Sequence, residues 1–459
     1  MALQPEEAGR ATSVSVDEAG RGRQIRLAAV ASVIGTSIEW YDFFLYGTAA
    51  AIVFPAVFFP ESSAYAGTLE SFATYAVGFA ARPVGAAIFG HWGDRIGRKA
   101  TLIITLLMMG LATTAVGLLP GTDSIGVAAP ILLVVLRLLQ GLAVGGEWSG
   151  SVLLSMEWGD QKRRGFMASL PQLGVAFGLI LGTGFLYLLS AVMTDAQFTS
   201  FGWRIPFVFS LVMVAIGLYI RLRILETPMF AKRLKENKIS KLPSMDAIKN
   251  HWKPIILSAL ARLSEQAPFY VITSFTLVFL TEEQGYSKTF ALAAILSAAA
   301  LELVAVPLFG HLSDTIGRKK IYMAGSALMG IYGFVLFAAM DSGIAAIAFI
   351  GLFLALIPHA MQYGPQAAMI AESFPTNLRY AGAGMGYQLA SVIAGGPAPL
   401  VATFLLKETG SGWSIAAAIF GCAVVSLIAV ALLDDRSRSD INDDATFAKK
   451  QRTRERVGV

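Results

Sequence analysis

The feature that most constrains this chain is a ten-residue stretch that occurs twice, each time between two long apolar segments. Gly90-His-Trp-Gly-Asp-Arg-Ile-Gly-Arg-Lys99 returns in the later part of the chain as Gly310-His-Leu-Ser-Asp-Thr-Ile-Gly-Arg-Lys319, and seven of the ten positions are identical. A repeat at this spacing in a chain of 459 residues indicates two homologous halves, each with about six apolar segments. The fold is therefore expected to be pseudo-symmetric.

The apolar segments are long enough to cross a membrane. Apolar residues make up 55% of the chain and charged residues 15%, whereas a soluble domain carries about 25% charged residues. Windows of about 19 residues with few charges suffice to span a hydrocarbon core of about 30 Å. We therefore predict an all-α membrane protein with twelve transmembrane helices in two six-helix halves, at residues 27–54, 69–90, 100–119, 128–156, 166–192, 203–222, 254–280, 288–309, 321–340, 344–371, 380–405 and 413–433.

Lysine and arginine are concentrated in alternate breaks between these segments. Arg95, Arg163, Arg318 and Arg379 are examples, and the long break at 223–253 holds eight more. By the positive-inside rule, both termini and this long break face the cytoplasm. The net charge of +5 is therefore a topology signal and argues against a nucleic-acid partner.

The chain is expected to divide into five parts within the cytoplasmic membrane of a cell. The first residues contain no apolar segment of the kind that a cleavable signal peptide requires. We expect a monomer embedded in the lipid bilayer. The predicted parts are a disordered cytoplasmic tail at 1–24, one six-helix half at 25–222, a cytoplasmic linker at 223–253, the other six-helix half at 254–433 and a disordered cytoplasmic tail at 434–459.

The repeated loop predicts a charge latch between the halves that opens and closes in each cycle. Gly90 and Gly97 permit a tight turn, and Asp94 is suited to accept from a neighbouring helix N-terminus. A glutamate that precedes an arginine by two helical turns also recurs, once in each half. A static topological anchor is the alternative. The latch candidates are Gly90, Asp94, Arg95, Gly97, Arg98, Asp314, Gly317, Arg318, Glu157, Arg164, Glu372 and Arg379.

Ionisable residues inside the spans are expensive to bury and are therefore functional candidates. In the first span, Asp42 neighbours Glu39 and Tyr46 on one helical face. In the fourth, Arg137 requires a carboxylate partner or an anionic ligand. A buried ion pair that only joins helices is the alternative in each case. The candidates for proton coupling are Asp42, Glu39, Arg137 and Glu147.

The second half carries groups suited to an anionic metabolite. Arg262 and Glu265 lie one helical turn apart, and a guanidinium binds a carboxylate bidentately, although pairing with Glu265 alone is the alternative. The register that aligns Gly90 with Gly310 places Asp42 opposite Arg262 and Arg82 opposite Glu302, so these charges are expected to pair across the midline in one state. The candidate substrate residues are Arg262, Glu265, Tyr46, Tyr270, Gln140, His359, Gln362 and Tyr363.

Several classes of function find no support in the sequence. The chain has neither a Cys/His cluster nor a Gly-x-x-x-x-Gly-Lys-Ser/Thr loop, so no metal, cofactor or ATP is expected. No nucleophile–base set supports an enzyme. Internal repeats of apolar segments are typical of secondary transporters, whose site lies where the repeats meet.

Three further motifs make the comparison with known families specific. They are Gly35-Thr-Ser-Ile-Glu-Trp-Tyr-Asp-Phe-Phe44, Gly141-Leu-Ala-Val-Gly-Gly-Glu-Trp148 and Gly202-Trp-Arg-Ile-Pro-Phe207. With the repeated loops, they resemble the major facilitator superfamily and, within it, the metabolite:proton symporter family, over residues 27–433. That family includes carriers for shikimate, α-ketoglutarate, citrate and proline or betaine.

The resemblance implies roles for particular residues. The run Arg137-Leu-Leu-Gln-Gly141 resembles the superfamily's fourth-helix motif, whose arginine is associated with proton coupling. Arg262-Leu-x-Glu265, followed by Tyr270, is similar to the seventh helix of shikimate-type members. The Gly-Pro pattern that antiporters carry in the fifth helix is missing.

We therefore expect a proton-coupled symporter that imports a small organic acid or zwitterionic metabolite by alternating access. Its partners would be the metabolite, which we expect to carry a carboxylate, and a proton. Two alternatives stay open. One is a proton-driven efflux antiporter for drugs or sugars, and the other is a transporter-like sensor that carries no solute.

Overall fold

The computed structural model describes residues 18–223 and 243–439, and every regular element within these two ranges is a helix. Ten helices in these ranges are long and apolar enough to cross a membrane. The two long helices at the start of the chain, which bury charged residues such as Glu39 and Arg82, complete the predicted twelve. The fold class predicted from the sequence is confirmed.

Each half contains six long helices. Those of the first half are α1 (Glu18–Ile52), α2 (Ala64–Ile96), α3 (Arg98–Leu118), α4 (Ala128–Trp158), α5 (Arg164–Ser169 continued by Leu173–Val192) and α6 (Arg204–Leu222). Those of the second half are α7 (Pro243–Ala261, Leu263–Tyr270, Val271–Phe275, Thr276–Val278 and Phe279–Glu283), α8 (Lys288–Ile316), α9 (Arg318–Met340), α10 (Ala345–Ala371), α11 (Arg379–Ala390, Ser391–Gly395 and Ala398–Thr409) and α12 (Gly412–Leu432). Short helical turns at Phe54–Phe58, Thr122–Ile125, Gln161–Arg163, Asp195–Gln197 and Phe198–Gly202 connect them.

Three helices begin at least five residues earlier than the apolar windows predict. The first starts at Glu18, the second at Ala64 and the seventh at Pro243, because turns outside the hydrocarbon need no apolar side chains and escape a hydropathy window. Residues 224–242, the larger part of the predicted linker, lie outside the described residues, as does most of both predicted tails. Residues 434–439 are described and contact the helix ends beside them.

Two helices of the second half are interrupted. In α7 the regular helix stops at Ala261 and resumes at Leu263, and π-helical turns follow at Val271–Phe275 and Phe279–Glu283. A similar turn interrupts α11 at Ser391–Gly395. Irregular backbone at membrane depth is tolerated where it is buried in protein or lines a cavity. These interruptions therefore mark where the second half departs from simple helix packing.

Close packing of α2 against α4 depends on glycine. A Cβ at Gly85 would collide with the carbonyl oxygen of Leu142, and one at Gly145 with that of Arg82. Small residues of this kind let two membrane helices approach to backbone contact. This close packing places Arg82 of α2 beside the buried face of α4.

The halves meet along a buried aromatic cluster. Trp40 lies 6.4 Å from Phe269 between ring centroids, and Tyr270 lies 5.9 Å from Phe43 and 5.7 Å from Phe79. All five rings are buried. Offset and edge-to-face aromatic pairs at such distances favour association, so this seam joins α1 and α2 to α7.

Candidate functional site

A small cavity lies at the seam between the halves. Its volume is about 10 Å³, and its lining comes from five helices: Trp40, Val175, Arg262, Glu265, Gln266, Phe269, Tyr270, His359, Tyr363 and Tyr387. Pockets for small ligands usually measure about 300–1,000 Å³. The aromatic side chains must therefore move apart to admit a metabolite. Apart from Trp40 and Val175, every lining residue belongs to the second half.

The break in α7 positions Arg262, which separates the two helical segments and is 1% exposed. Its Nε donates to Oε2 of Glu265 at 3.1 Å and to Oε1 of Gln366 at 3.2 Å. Its guanidinium lies over the ring of Tyr387, 3.3 Å from the centroid, and Nη1 donates to the Tyr387 carbonyl. The cation is fixed in place, and its carboxylate partner is one that lines the same cavity.

Glu265 and Glu302 lie on opposite sides of one imidazole. Nε2 of His359 is 3.3 Å from Oε1 of Glu265, and Nδ1 of His359 contacts Oε1 of Glu302. The ring also stacks on Phe269 and Tyr363, with centroids 4.7 and 4.9 Å apart. All of these side chains are buried. We call Glu265, His359 and Glu302 the acid–imidazole chain.

Two polar atoms on cavity-lining side chains have no hydrogen-bond partner among the described residues. They are Oε1 of Gln266 and the hydroxyl of Tyr270. The amide nitrogen of Gln266 donates to Ser391, which fixes the amide so that its oxygen is available as an acceptor. A buried polar atom without a partner costs about 1–3 kcal/mol. A ligand with a hydrogen-bond donor would remove that cost.

In the first half, Arg137 is held by aromatic faces rather than by a carboxylate. Its guanidinium lies 4.3 Å from the ring centroid of Tyr46 and 4.8 Å from that of Tyr75. Nη1 donates to Gln140 at 3.2 Å, while Nε has no hydrogen-bond partner within the described ranges. Arg82 stacks in a similar way, over Phe43 and Phe79. These are cation–π contacts.

Asp42 belongs to a polar cluster inside the first half rather than to the cavity lining. Its two carboxylate oxygens accept hydrogen bonds from Thr113 at 2.7 Å and Ser210 at 2.9 Å. The amide of Gln140 donates to Thr113. We call Asp42, Thr113, Gln140 and Ser210 the first-half polar core.

The second half repeats this cluster without the charge. Ser264 contacts Ser326, Gln362 and Ser426, which come from α9, α10 and α12. We call these four residues the second-half polar core. By their contacts, Asp42 corresponds to Ser264 and Gln140 to Gln362. For α1 with α7 and for α4 with α10, these contacts shift the register by two positions from that of the repeated loops, so Asp42 matches Ser264 rather than Arg262.

The other first-half candidates lie elsewhere. Glu147 pairs with Arg221 of α6 and accepts a hydrogen bond from Thr105 at 3.0 Å, so it joins helices. Glu39 is buried, and its Oε2 has no hydrogen-bond partner among the described residues. Tyr46 bonds to Thr74. The predicted substrate residues that share the cavity are thus Arg262, Glu265, Tyr270, His359 and Tyr363, whereas Tyr46, Gln140 and Gln362 lie outside its lining.

We call the end of the bundle that carries the turns at Gly97 and Gly317 the basic face. There, each half supplies a carboxylate to a helix start of the other. Asp94 of α2 accepts from the N–H of Ala381, at 3.1 Å. Asp314 of α8 accepts from the N–H groups of residues 165 and 166, at 2.8 and 3.0 Å. A carboxylate at a helix N-terminus is stabilised by the helix dipole.

An ion-pair cluster crosses the seam beside them. Arg164 of the first half lies 2.9 Å from Glu372 of the second, which also lies 3.2 Å from Arg318. Arg318 pairs with Asp314 at 2.8 Å. Arg164 donates in addition to backbone carbonyls of residues 436–439. The basic face is therefore closed by buried charges and by the segment that follows α12.

The remaining latch candidates differ in their surroundings. Gly97 and Gly317 have φ of 108° and 114°, values that L side chains rarely adopt, and they make the predicted turns. Arg95 is exposed beside His91. The side chain of Arg98 lies outside the described residues. Three more are buried at the seam: Gly90 against Ala381, Arg379 with its Nε donating to the Phe374 carbonyl, and Glu157.

Sequence reasoning missed several lining residues. Trp40, Gln266 and Tyr387 stand in apolar or mixed stretches, where an aromatic side chain reads equally well as packing. The interruption of α7 gave a signal in Pro268, one of two prolines within that helix. The repeat register places Glu302 opposite Arg82, but the sequence does not predict the contact between Glu302 and His359.

Comparisons with known proteins place the chain among transporters. Residues 27–242 match the family described as sugar (and other) transporter, and residues 255–456 match the major facilitator superfamily. The inner membrane metabolite transport protein YhjE of Escherichia coli K12 is 41% identical over 409 residues, which cover 88% of this chain and 92% of YhjE. The shikimate transporter of the same organism is 40% identical, with coverage of 90% and 95%. Its proline/betaine transporter is 30% identical, with coverage of 88% and 82%.

Solved structures agree on the fold. The proton:xylose symporter XylE bound to 6-bromo-6-deoxy-D-glucose superimposes with a TM-score of 0.75 at 17% identity, covering 93% of this chain and 99% of XylE. A partially occluded inward-open form of XylE from E. coli gives 0.68 at 18% identity, with coverage of 91% and 100%.

Proposed function

Because the chain belongs to the major facilitator superfamily of membrane transporters, we propose that it imports a small carboxylate-bearing metabolite together with a proton. Its relatives are transporters of metabolites, of shikimate and of proline and betaine, and they are not enzymes. The superfamily therefore gives the class of activity, and the cavity residues support a particular kind of cargo.

The observation that carries this proposal is Arg262 at the cavity. A buried guanidinium that lines a pocket between two transporter halves suits a carboxylate, which its planar fork holds with two parallel hydrogen bonds. In this structure one edge of that fork is occupied by Glu265, a protein carboxylate in the place of a ligand's. A substrate carboxylate would compete for the same cation.

The rest of the lining suits a compact ligand with hydrogen-bond donors. Trp40, Phe269 and Tyr270 supply aromatic walls, and Gln266 Oε1 supplies an unused acceptor. Shikimate carries one carboxylate and several hydroxyl groups, and it is the substrate named for the relative at 40% identity. Proline and glycine betaine, from the relative at 30%, combine a carboxylate with a cation. These three compounds are the natural probes.

The direction of access follows from the basic face. The positive-inside rule supports a cytoplasmic location for that face, and there the ion pairs of Arg164, Glu372, Arg318 and Asp314 would act as a latch on the cytoplasmic side. Opening this face requires the two halves to rock about the cavity, which is the usual motion of transporters built from repeats. The coupling proton requires a buried acid, and Asp42 and Glu39 are the first-half candidates.

Uptake by purified protein in proteoliposomes tests the proposal. Each radiolabelled probe is offered with an inward proton gradient, with and without a protonophore. We expect accumulation of at least one carboxylate probe that collapses when the gradient is abolished. Uptake that survives loss of the gradient would contradict proton coupling, and pH-driven export from inverted vesicles would instead identify an efflux antiporter.

A further inference from the structure

The acid–imidazole chain connects the substrate cation to a second buried carboxylate, and we propose that substrate binding at Arg262 draws one proton onto Glu265. This inference rests on the proposed function, because it takes Arg262 as the partner of the substrate carboxylate. Its geometric basis is that each carboxylate oxygen of Glu265 contacts a different basic side chain. Oε2 lies 3.1 Å from Nε of Arg262, while Oε1 lies 3.3 Å from Nε2 of His359.

The contacts fix how many protons the acid–imidazole chain holds. A nitrogen and a carboxylate oxygen at hydrogen-bonding distance need a hydrogen between them, and His359 makes such a contact at both ring nitrogens. A neutral imidazole supplies only one N–H, so the acid–imidazole chain holds one proton more. With that proton, the positive charges of Arg262 and His359 balance the negative charges of Glu265 and Glu302. The arrangement in this structure is therefore neutral.

A substrate carboxylate disturbs this balance in one definite way. It must displace Glu265 from Arg262, which would leave the carboxylates of Glu265 and Glu302 with a single cation, His359, between them. An uncompensated buried charge is costly enough that the group takes up a proton instead. One anion and one proton then enter together, Arg262 exchanges one carboxylate partner for another, and the O–H bond forms on Glu265. The net charge of the site stays at zero, and His359 keeps its bond to Glu302.

The geometry selects Glu265 over Glu302 for this step. Glu265 lines the cavity and touches Arg262, whereas Glu302 lies behind the imidazole, bonded to Nδ1. Gln366 donates to the same Oε2 of Glu265 at 3.0 Å and so holds the side chain when Arg262 turns to a ligand. Glu302 is a positioning residue, since it acts on Glu265 only through His359.

Other titratable groups surround Glu265 on every side. Those that face it from the second half are Arg262 on α7, Tyr322 on α9, His359 and Tyr363 on α10 and Tyr387 on α11, together with Tyr270 on α7. The first half contributes Arg82, in electrostatic range of Tyr270, and Glu39, in range of Tyr387. Unlike these neighbours, Glu265 is a carboxylate paired with Arg262, and it would lose that partner to a substrate carboxylate.

Calorimetry of shikimate binding in buffers of different ionisation enthalpy counts the protons taken up for each ligand bound. We expect about one proton per shikimate for the wild type, at a pH where free shikimate is ionised. Glu265→Gln, which imitates the protonated residue, should bind shikimate with no proton uptake and with a dissociation constant that no longer changes with pH. Glu302→Gln and Asp42→Asn test the two competing acids, one on the far side of the imidazole and one in the first half. Both should keep the uptake of about one proton.

Two outcomes would overturn the inference while leaving proton-coupled uptake intact. One is unchanged proton uptake in Glu265→Gln, and the other is its loss in Asp42→Asn alone. If Glu265→Gln fails to fold, the wild type with the methyl ester of shikimate gives the same information, because this ligand brings no anion. Binding of the ester with one proton would contradict the inference, and binding without a proton, or no binding, would support it. Failure of the wild type to bind any of the three carboxylate probes would instead contradict the proposed function.

Discussion

The two halves of this protein share a neutral scaffold and differ in their charges. Gln140 and Gln362 lie at matching positions in the two polar cores, and each shares a hydrogen bond with a hydroxyl group, that of Thr113 on α3 or of Ser326 on α9. Where the first half has Asp42, the second has the neutral Ser264. Duplication has thus kept the hydrogen bonds that fix the helices, while the ionisable groups have diverged.

The charged groups show the larger difference. In the first half, the cations Arg82 and Arg137 are held on aromatic rings. In the register that pairs the two polar cores, the second half has His359 at the place of Arg137, between two carboxylates, and its Arg262 opens on the cavity. Aromatic faces hold a cation without neutralising it, whereas the acid–imidazole chain is neutralised internally. The second half therefore carries the groups suited to bind the ligand. The first half has two cations that aromatic rings hold without neutralising them.

The largest expected difference between the halves concerns their arginines. Arg262→Ala should lower the efficiency of shikimate uptake at least about 100-fold, because removing one partner of a buried charge pair costs about 3–5 kcal/mol. Arg137→Ala should leave shikimate binding within about threefold, a difference below about 1 kcal/mol. Binding measured by calorimetry and uptake measured in proteoliposomes separate the two. Equal losses of binding in both variants would remove the distinction between the halves.

A second prediction concerns the latch. Its ion pairs join the two halves, whereas each polar core lies within one half. Arg164→Ala should shift the population toward a form with the basic face open, by about 1.5–3 kcal/mol, because Glu372 loses its charged hydrogen bond to the first half and keeps only Arg318. Distances between spin labels on the two halves at this face measure the shift. Arg95→Ala is the control, since Arg95 is exposed beside His91. A latch that stays closed in Arg164→Ala would make the cluster a static anchor.

The smallest effect compares the polar cores with each other. Thr113→Ala removes a donor to the carboxylate of Asp42, whereas Ser326→Ala removes a bond between neutral groups. Hydrogen bonds to charged groups contribute about 1.5–3 kcal/mol and neutral ones about 1 kcal/mol, with smaller values inside membranes. Thr113→Ala should therefore lower the melting temperature in detergent more than Ser326→Ala does. The reverse order would indicate that Asp42 is protonated and neutral in the folded protein.

The sequence predicts the fold well because a helix that spans a membrane needs a long run of mostly apolar residues. Ten helices are long and apolar enough to show as spans, the repeated loops indicate the two halves that complete the twelve, and Gly97 and Gly317 mark the turns. The helix starts at Glu18 and Pro243 escape the same signal because they carry polar turns.

The site was only partly predictable, for two physical reasons. Charged residues such as Arg262 are visible in a sequence because they are rare at membrane depth. Trp40 and Tyr387 are not visible, since aromatic residues occur equally in packing, at lipid-facing surfaces and in cavities. The partner of Glu147 was missed because Arg221 stands at a helix end, where a basic residue reads as a topology signal.

A structure of the protein with bound shikimate would decide whether the ligand chemistry belongs to the second half. We expect the shikimate carboxylate within hydrogen-bonding distance of Arg262, with Glu265 withdrawn from that cation and still facing His359. The ligand's hydroxyl groups should reach Gln266 or Tyr270. Shikimate bound beside Arg137 in the first half, or bound in the cavity while Glu265 still pairs with Arg262, would contradict this assignment.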